Sequence, residues 1–91
     1  SIRGLQATIG GRSHRLWQAA CDEHCSWNVP LKEILKVDII KPAKGKQVLV
    51  VENSGVYSIL LEQLPDLAIV CSSGQFTYAV IVLLVIWILK G

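Results

Sequence analysis

The sequence predicts an α/β fold: a β-α-β-α parallel-sheet unit preceded by a short, mainly helical N-terminal region. Two runs of continuous apolar and β-branched residues, Gln47–Val51 and Leu67–Cys71, indicate strands that are covered on both faces, as in parallel sheets. The segment between them has helical periodicity and ends at Pro65. A right-handed crossover through this helix would set the two strands parallel in one sheet.

Residues 1–45 are expected to form an N-terminal arm, a short helix and a linker. Ser1–Gly11 is short and polar and ends in two glycines, which is typical of an arm. Arg12–Cys21 predicts about two to three helical turns, with Leu16, Trp17 and Ala20 on one side. Leu31–Leu35 predicts one further helical turn.

A short strand and a linker are predicted to complete this region. Val37–Ile40 is expected to be the strand, which Pro42 closes. The segment Lys41–Lys46 combines proline, glycine and three lysines, and it is the clearest boundary in the chain. Residues 46–91 should therefore form the β-α-β-α unit.

The first helix of that unit is expected to begin at a cap formed by Asn53 or Ser54. Its spacing predicts one buried face, made by Val56, Ile59, Leu60 and Leu64.

A second helix is expected over Phe76–Leu89, after a turn at Ser72–Gln75. It contains eleven consecutive apolar residues, Ala79–Leu89. A membrane span needs roughly 20, so the sequence favours a helix that is buried on several sides over a membrane anchor. No contact with a membrane is predicted.

Charge and cysteine content indicate partners and compartment only coarsely. The 91-residue chain is 52% apolar and 18% charged, with a net charge of +2. Residues 1–45 hold seven Lys/Arg and four Asp/Glu, a net charge of +3, which is compatible with a phosphate-bearing partner but is also ordinary solvated charge. Three cysteines without framework spacing, and the lack of a secretion leader, favour a cytoplasmic protein.

Glu52 is the residue most suited to chemistry. It directly follows an apolar strand and precedes a helix cap, which places it at the carboxyl edge of a parallel sheet, where ligands of α/β proteins bind. A carboxylate there can coordinate a metal or transfer a proton. Capping and solubilising the strand end is the alternative role for Glu52 and Asn53.

Two motifs carry a resemblance to a known family. Val50–Tyr57 contains a Glu-Asn pair at a strand end, and Leu67–Gln75 ends in Cys-Ser-Ser-Gly-Gln, followed by a Leu-rich helix. This pattern resembles the C-terminal TOPRIM-type domain of a family of uncharacterised bacterial proteins. That family is similar to the TOPRIM nuclease subunit of Wadjet plasmid-defence systems and to the DNA-cleaving subunit of archaeal type II topoisomerases.

The resemblance implies a Mg²⁺-dependent protein that acts on DNA, with phosphodiester cleavage in plasmid or phage defence. It implies that Glu52 is a general acid/base or metal ligand, and that Asn53 helps to position it. In TOPRIM domains an Asp-x-Asp pair on a later strand binds Mg²⁺, and this sequence has no such pair. One carboxylate holds Mg²⁺ poorly, so the 91-residue piece is expected to be catalytically silent, with Mg²⁺ and DNA bound by an intact parent.

Two alternatives remain open. The chain can be a non-enzymatic interaction module that forms homo-oligomers through Phe76–Leu89. Separately, Cys21, His24 and Cys25 offer three zinc ligand types, but a structural site needs a fourth. Loop or buried cysteines are the alternative to zinc there.

Overall fold

A computed structural model describes residues 1–72 and Val82, and within them the chain forms two small sheets and three helices. In chain order the elements are β1 (Ile2–Arg3), β2 (Leu5–Ile9), β3 (Arg12–Ser13), α1 (Arg15–Asp22), α2 (Leu31–Ile34), β4 (Ile39–Pro42), β5 (Val48–Val51), α3 (Ser54–Gln63) and β6 (Ala68–Cys71). The fold is thus mixed α/β.

The first sheet, which we call the mixed sheet, has the strand order β1-β6-β5. β5 and β6 are parallel, with Val48 opposite Ala68 and Val51 opposite Cys71. This confirms the parallel β-α-β arrangement expected from the sequence. β1 pairs with β6 in the antiparallel direction, so an N-terminal strand occupies the other edge of β6.

The second sheet is antiparallel, with the order β3-β2-β4. β2 follows β1 after a single residue, Gly4, so one extended segment serves both sheets. Gly4 has φ +81°, a conformation that favours glycine. The turn Gly10-Gly11 joins β2 to β3 with positive φ at both residues, which matches a tight hairpin turn.

The mixed sheet is covered differently on its two faces. Ala68 and Val70 face a buried cluster that includes Trp17, Ile34 and Ile40, against which Val82 also packs. The alternate residues Ile69 and Cys71 face α3, through Tyr57. All four residues of β6 are buried, as a strand covered on both faces should be. β5 departs from this expectation, since Val50 is 41% exposed.

Of the two cap residues that the sequence allowed, Asn53 and Ser54, Asn53 is the one observed, whereas most of the predicted buried face of α3 is wrong. Asn53 caps the helix with its side chain. Tyr57 is buried, with Leu60 and Leu61 packed beside it, whereas Val56, Ile59 and Leu64 are exposed. Apolar residues occur on both sides of α3: Val56 and Ile59 on the exposed side, Leu60 and Leu61 on the packed side. Apolar spacing alone therefore did not show which side is buried. The Tyr57 hydroxyl lies 2.6 Å from the Ser26 hydroxyl. This hydrogen bond forms because the face of α3 that carries Tyr57 is turned towards the core.

The expectations of an N-terminal arm and of a mainly helical N-terminal region are wrong. Residues 2–9 form β1 and β2, and Ile2, Leu5 and Ala7 belong to the core. Of the six strands in the described residues, four lie in residues 1–45, together with two helices. Buried Leu5 and Ala7 alternate with Gln6 and Thr8, which is the period of a strand, and Gly4 directly precedes this run.

The remaining N-terminal predictions differ mainly in their bounds. α1 begins at Arg15 rather than Arg12, because Arg12 and Ser13 pair with β2. α2, Leu31–Ile34, matches the predicted turn of helix. The strand expected at Val37–Ile40 is Ile39–Pro42, so Pro42 is its last residue instead of lying beyond it.

Most of the predicted C-terminal elements lie outside the described residues. This applies to the turn after Ser72 and to the helix Phe76–Leu89, apart from Val82. In residues 1–72, no helix has the length and apolar character needed to cross a membrane.

Candidate functional site

Glu52 lies where the sequence placed it, immediately after β5 at the carboxyl edge of the mixed sheet. The parallel ladder continues past the strand ends, since the Ser72 amide donates to the Val51 carbonyl at 2.8 Å. Glu52 and Ser72 therefore lie side by side at this edge. Glu52 is exposed, so its carboxylate is accessible to a ligand.

Asn53 holds the turn between Glu52 and α3. Its Oδ1 accepts hydrogen bonds from the amides of Gly55, at 2.8 Å, and Val56, at 3.1 Å. These amides would otherwise lack partners at the start of the helix. Asn53 therefore fixes the backbone turn that directly follows Glu52.

The floor of this turn is the buried end of β6. The Cys71 thiol donates to the Glu52 carbonyl at 3.8 Å, and the Ser72 hydroxyl donates to the Val51 carbonyl at 3.5 Å. Cys71 is almost completely buried. The Glu52 backbone is thus supported from below, while its side chain lies on the accessible side of the edge.

Two residues of the N-terminal region share this carboxyl edge. Because β1 is antiparallel to β6, it begins here, and the Cys71 amide donates to the Ser1 carbonyl at 2.8 Å. Trp27 bridges Ile2 on the far side of β1, which brings Asn28 beside Ser1. The Ser1 hydroxyl donates to Asn28 Oδ1. Sequence reasoning treated residues 1–11 as an arm and therefore missed Ser1. It also missed Asn28, because Asn28 reaches this edge only through the bridge between Trp27 and Ile2.

The described residues do not assemble a metal site. No group of three His, Cys, Asp or Glu side chains in residues 1–72 is placed to hold an ion, and this applies to Glu52 as well. Cys21, His24 and Cys25 are not brought together as ligands. The Cys21 thiol donates to the Leu5 carbonyl at 3.1 Å, and the Cys25 thiol donates to the Ser26 carbonyl at 3.4 Å.

The cysteine environment fits packing better than zinc binding. Burial, and secondarily the charge of Asp22, raises the pKa of the Cys21 thiol. Zinc binds the thiolate form, so a raised pKa opposes metal binding. Cys21, Cys25 and Cys71 are all free thiols.

Arg3 is a buried charged residue that sequence reasoning also missed. It is 5% exposed, and its guanidinium donates to the carbonyls of Leu61, at 2.8 Å, Leu64, and Leu67, at 2.7 Å. These carbonyls belong to the last turn of α3 and the connection to β6. A cation at a helix C-terminus complements both the unpaired carbonyls and the helix dipole. β1 thus anchors the C-terminal end of α3, the helix that begins just after Asn53.

A groove of about 790 Å³ lies at the opposite, amino edge of the mixed sheet. Its lining comes from the β4–β5 loop and from the connection between α3 and β6, and includes Lys46, Gln63 and Leu67. At its rim Lys44 donates to Asp66 at 3.0 Å, and this hydrogen bond and charge lower the pKa of the Asp66 carboxyl. The groove is separated from Glu52 by the length of β5.

Residues 27–87 match a protein family described as protein of unknown function C-terminus (DUF2399). This match covers more than half of the chain, and the chain belongs to this family. Glu52, Asn53, Asn28 and Ser72 lie inside the matched region, whereas β1, β2, β3 and α1 precede it. No curated protein and no solved structure matches the chain.

Proposed function

We propose that this chain is part of a TOPRIM-like, Mg²⁺-dependent protein that cleaves phosphodiester bonds in DNA, with plasmid or phage defence as its biological setting. Glu52 is the general acid/base or metal ligand, and Asn53 positions it. The observation that carries the proposal is the location of Glu52: an exposed carboxylate at the carboxyl end of a parallel strand, on a turn fixed by a helix cap.

The proposal requires further oxygen ligands for Mg²⁺, which prefers octahedral coordination and is poorly held by one carboxylate. Residues 1–72 supply no such group around Glu52. The isolated chain is therefore expected to be inactive, and the resemblance assigns the missing ligands to an Asp-x-Asp pair on a later strand.

The topology supports a place for that strand. α3 covers one face of the mixed sheet, and Val82 packs against the cluster on the other face. A right-handed crossover that leaves β6 by this second face would return beyond β5, because β1 already occupies the other edge of β6. The carboxyl end of such a strand would lie next to Glu52.

The test is Mg²⁺-dependent cleavage of plasmid DNA by the intact protein that contains this chain. Replacing Glu52 with Gln is expected to lower the cleavage rate by roughly 10²- to 10⁴-fold, the usual contribution of a positioned acid or base. Glu62→Gln is the matched control, since Glu62 is an exposed carboxylate on α3 away from the edge. Unchanged cleavage by Glu52→Gln would rule out the proposed role.

A second variant separates the cap from the chemistry. Asn53→Asp keeps an oxygen acceptor that caps α3 about as well as Asn, so it should retain the fold. If Asn53 only positions Glu52, this variant also retains most of the activity, whereas Asn53→Ala loses both stability and rate.

An interaction module is the second candidate. α3 leaves Val56 and Ile59 exposed, Ile59 by 62%, and apolar side chains on one helix face suit a partner surface. The sequence also suggested homo-oligomers through Phe76–Leu89, which lies outside the described residues. Sedimentation that shifts with protein concentration, and is reversed by Ile59→Lys, would favour this candidate; a monomer at all concentrations would argue against it.

A further inference from the structure

We propose that a small cavity at the end of β1 binds the phosphate group of a small organic phosphate. We call it the Arg3 cavity; the side chains on its wall that matter for binding are Arg3, His24, Lys44 and Asp66. Glu52 does not line this cavity, so the site goes beyond the proposed function and does not depend on it.

The Arg3 cavity has the size of one phosphate group. Its volume is about 40 Å³. A water-sized atom needs about 10 to 15 Å³, so the cavity has room for about three such atoms. A phosphate monoester presents three terminal oxygens, whereas a carboxylate presents two. The volume therefore favours a phosphate over a carboxylate as the bound group.

Arg3 places a buried donor on the wall of the cavity. Two nitrogens of its guanidinium donate to the carbonyls of Leu61, Leu64 and Leu67, which fixes the group in place. The third nitrogen, Nε, is buried, and among residues 1–72 no acceptor pairs with it. A buried donor without a partner costs stability, and a phosphate oxygen would satisfy it through a charge-assisted hydrogen bond.

Positive charge converges on the exposed side of the cavity. Lys44 donates to the Asp66 carboxylate at 3.0 Å. This hydrogen bond and the Lys44 charge lower the pKa of Asp66 most, and the charges of His24 and Arg3 lower it further. His24 lies in a turn with φ +52°, a conformation that is uncommon outside glycine. The Asp66 carboxylate thus already occupies a position where three basic side chains favour an anion.

The bound phosphate would take the place of the Asp66 carboxylate, which turns into solvent. The Asp66 side chain is 67% exposed, so this movement needs no rearrangement of the core. The groove at the amino edge shares Lys44 and Asp66 with the Arg3 cavity. Its volume of about 790 Å³ has room for the organic part of the ligand, and Leu64 and Leu67 give it apolar walls.

The experiment follows the side-chain Nε–H signal of Arg3 by proton–nitrogen correlation NMR of the 91-residue chain. Phenyl phosphate and inorganic phosphate are the probes, at constant ionic strength. The sequence has three arginines, so Arg12→Lys and Arg15→Lys identify the Arg3 signal by elimination. We expect the Arg3 signal to shift saturably, while the signals of exposed Arg12 and Arg15 stay in place. Phenyl phosphate should bind roughly 5- to 10-fold more tightly than inorganic phosphate, because its ring is partly buried in the groove.

Two variants test the charges on the exposed side of the cavity. Lys44→Gln should weaken the binding of phenyl phosphate about 2- to 5-fold, because it removes an exposed cation. Asp66→Asn should strengthen binding by a similar factor, because the competing carboxylate is removed. Lys36→Gln and Glu33→Gln are the matched controls, since these two residues form a surface pair at 3.1 Å and do not line the cavity. Both controls should leave the affinity unchanged.

The outcomes separate this site from the proposed function. If the Arg3 signal responds to neither probe, or if Asp66→Asn binds phenyl phosphate no more tightly than Glu33→Gln does, the Arg3 cavity is not a phosphate site. Equal affinities for the two probes would refute an organic ligand that extends into the groove. Glu52→Gln should leave phosphate binding unchanged, so a failure of either proposal does not affect the other.

Discussion

Replacing Arg3 with Met should destabilise the protein by about 3 kcal/mol. The methionine retains most of the buried aliphatic volume, but three backbone carbonyls, those of Leu61, Leu64 and Leu67, lose their donors. An unsatisfied carbonyl costs about 1 to 3 kcal/mol when fully buried. We use the lower bound of about 1 kcal/mol for each, because Leu64 is partly exposed and the removed cation no longer has to be buried.

The loss would be a large fraction of the total stability, since a domain of this size is stable by roughly 5 to 14 kcal/mol. Urea denaturation followed by tryptophan fluorescence measures it, because Trp17 is fully buried and packs edge-on against Trp27 at 5.4 Å. Arg12→Met is the control: Arg12 is exposed, and a change within about 0.5 kcal/mol is expected. If the two variants unfold at the same urea concentration, Arg3 does not anchor α3.

Three further substitutions, one of them with a matched control, probe other features of the fold. Gly4→Ala should cost about 1 to 3 kcal/mol, since φ is +81° and the new Cβ would lie 3.2 Å from Ala68 Cα. Gly11→Ala shares the positive φ without that contact, so a smaller loss of thermal stability is expected there. Asn53→Ala should lower the free energy of unfolding by about 1 kcal/mol through loss of the cap, as measured in urea. Burial raises the pKa of the Tyr57 hydroxyl, and the hydrogen bond to Ser26 opposes this only in part. The folded state therefore favours neutral Tyr57. Its contribution to stability is complete below the unfolded pKa of about 10 and is lost as the pH rises through the folded pKa. Tyr57→Phe should therefore flatten the loss of stability between pH 9 and 11, and an unchanged slope would contradict this assignment.

The β-α-β part of the fold was predictable because its signals are local. Continuous apolar runs indicated β5 and β6 within one residue of their observed starts, and residue type and position limited the cap of α3 to Asn53 or Ser54. A helical crossover between two strands of one sheet then implied the parallel pairing. Glu52 followed from these three local observations without knowledge of any distant contact.

The N-terminal half was harder to predict because its strands are short and are stabilised by distant residues. β1 has two residues, and it pairs with β6 near the end of the described chain. Arg3 appeared to be a solvated charge, since nothing nearby in sequence indicates that the end of α3 provides three carbonyls for it. A two-residue strand has too few positions to reveal alternation, so pattern analysis favoured an arm.

The same cause explains why two of the residues at the carboxyl edge of the mixed sheet were missed. Glu52 and Ser72 follow strands that the sequence reveals, whereas Ser1 and Asn28 reach the edge only because β1 is antiparallel to β6 and Trp27 bridges Ile2. Reversing β1 would move its first residue to the amino edge, near Lys46 and Gln63. The direction of one two-residue strand therefore decides whether the N-terminal region lies beside Glu52 or away from it.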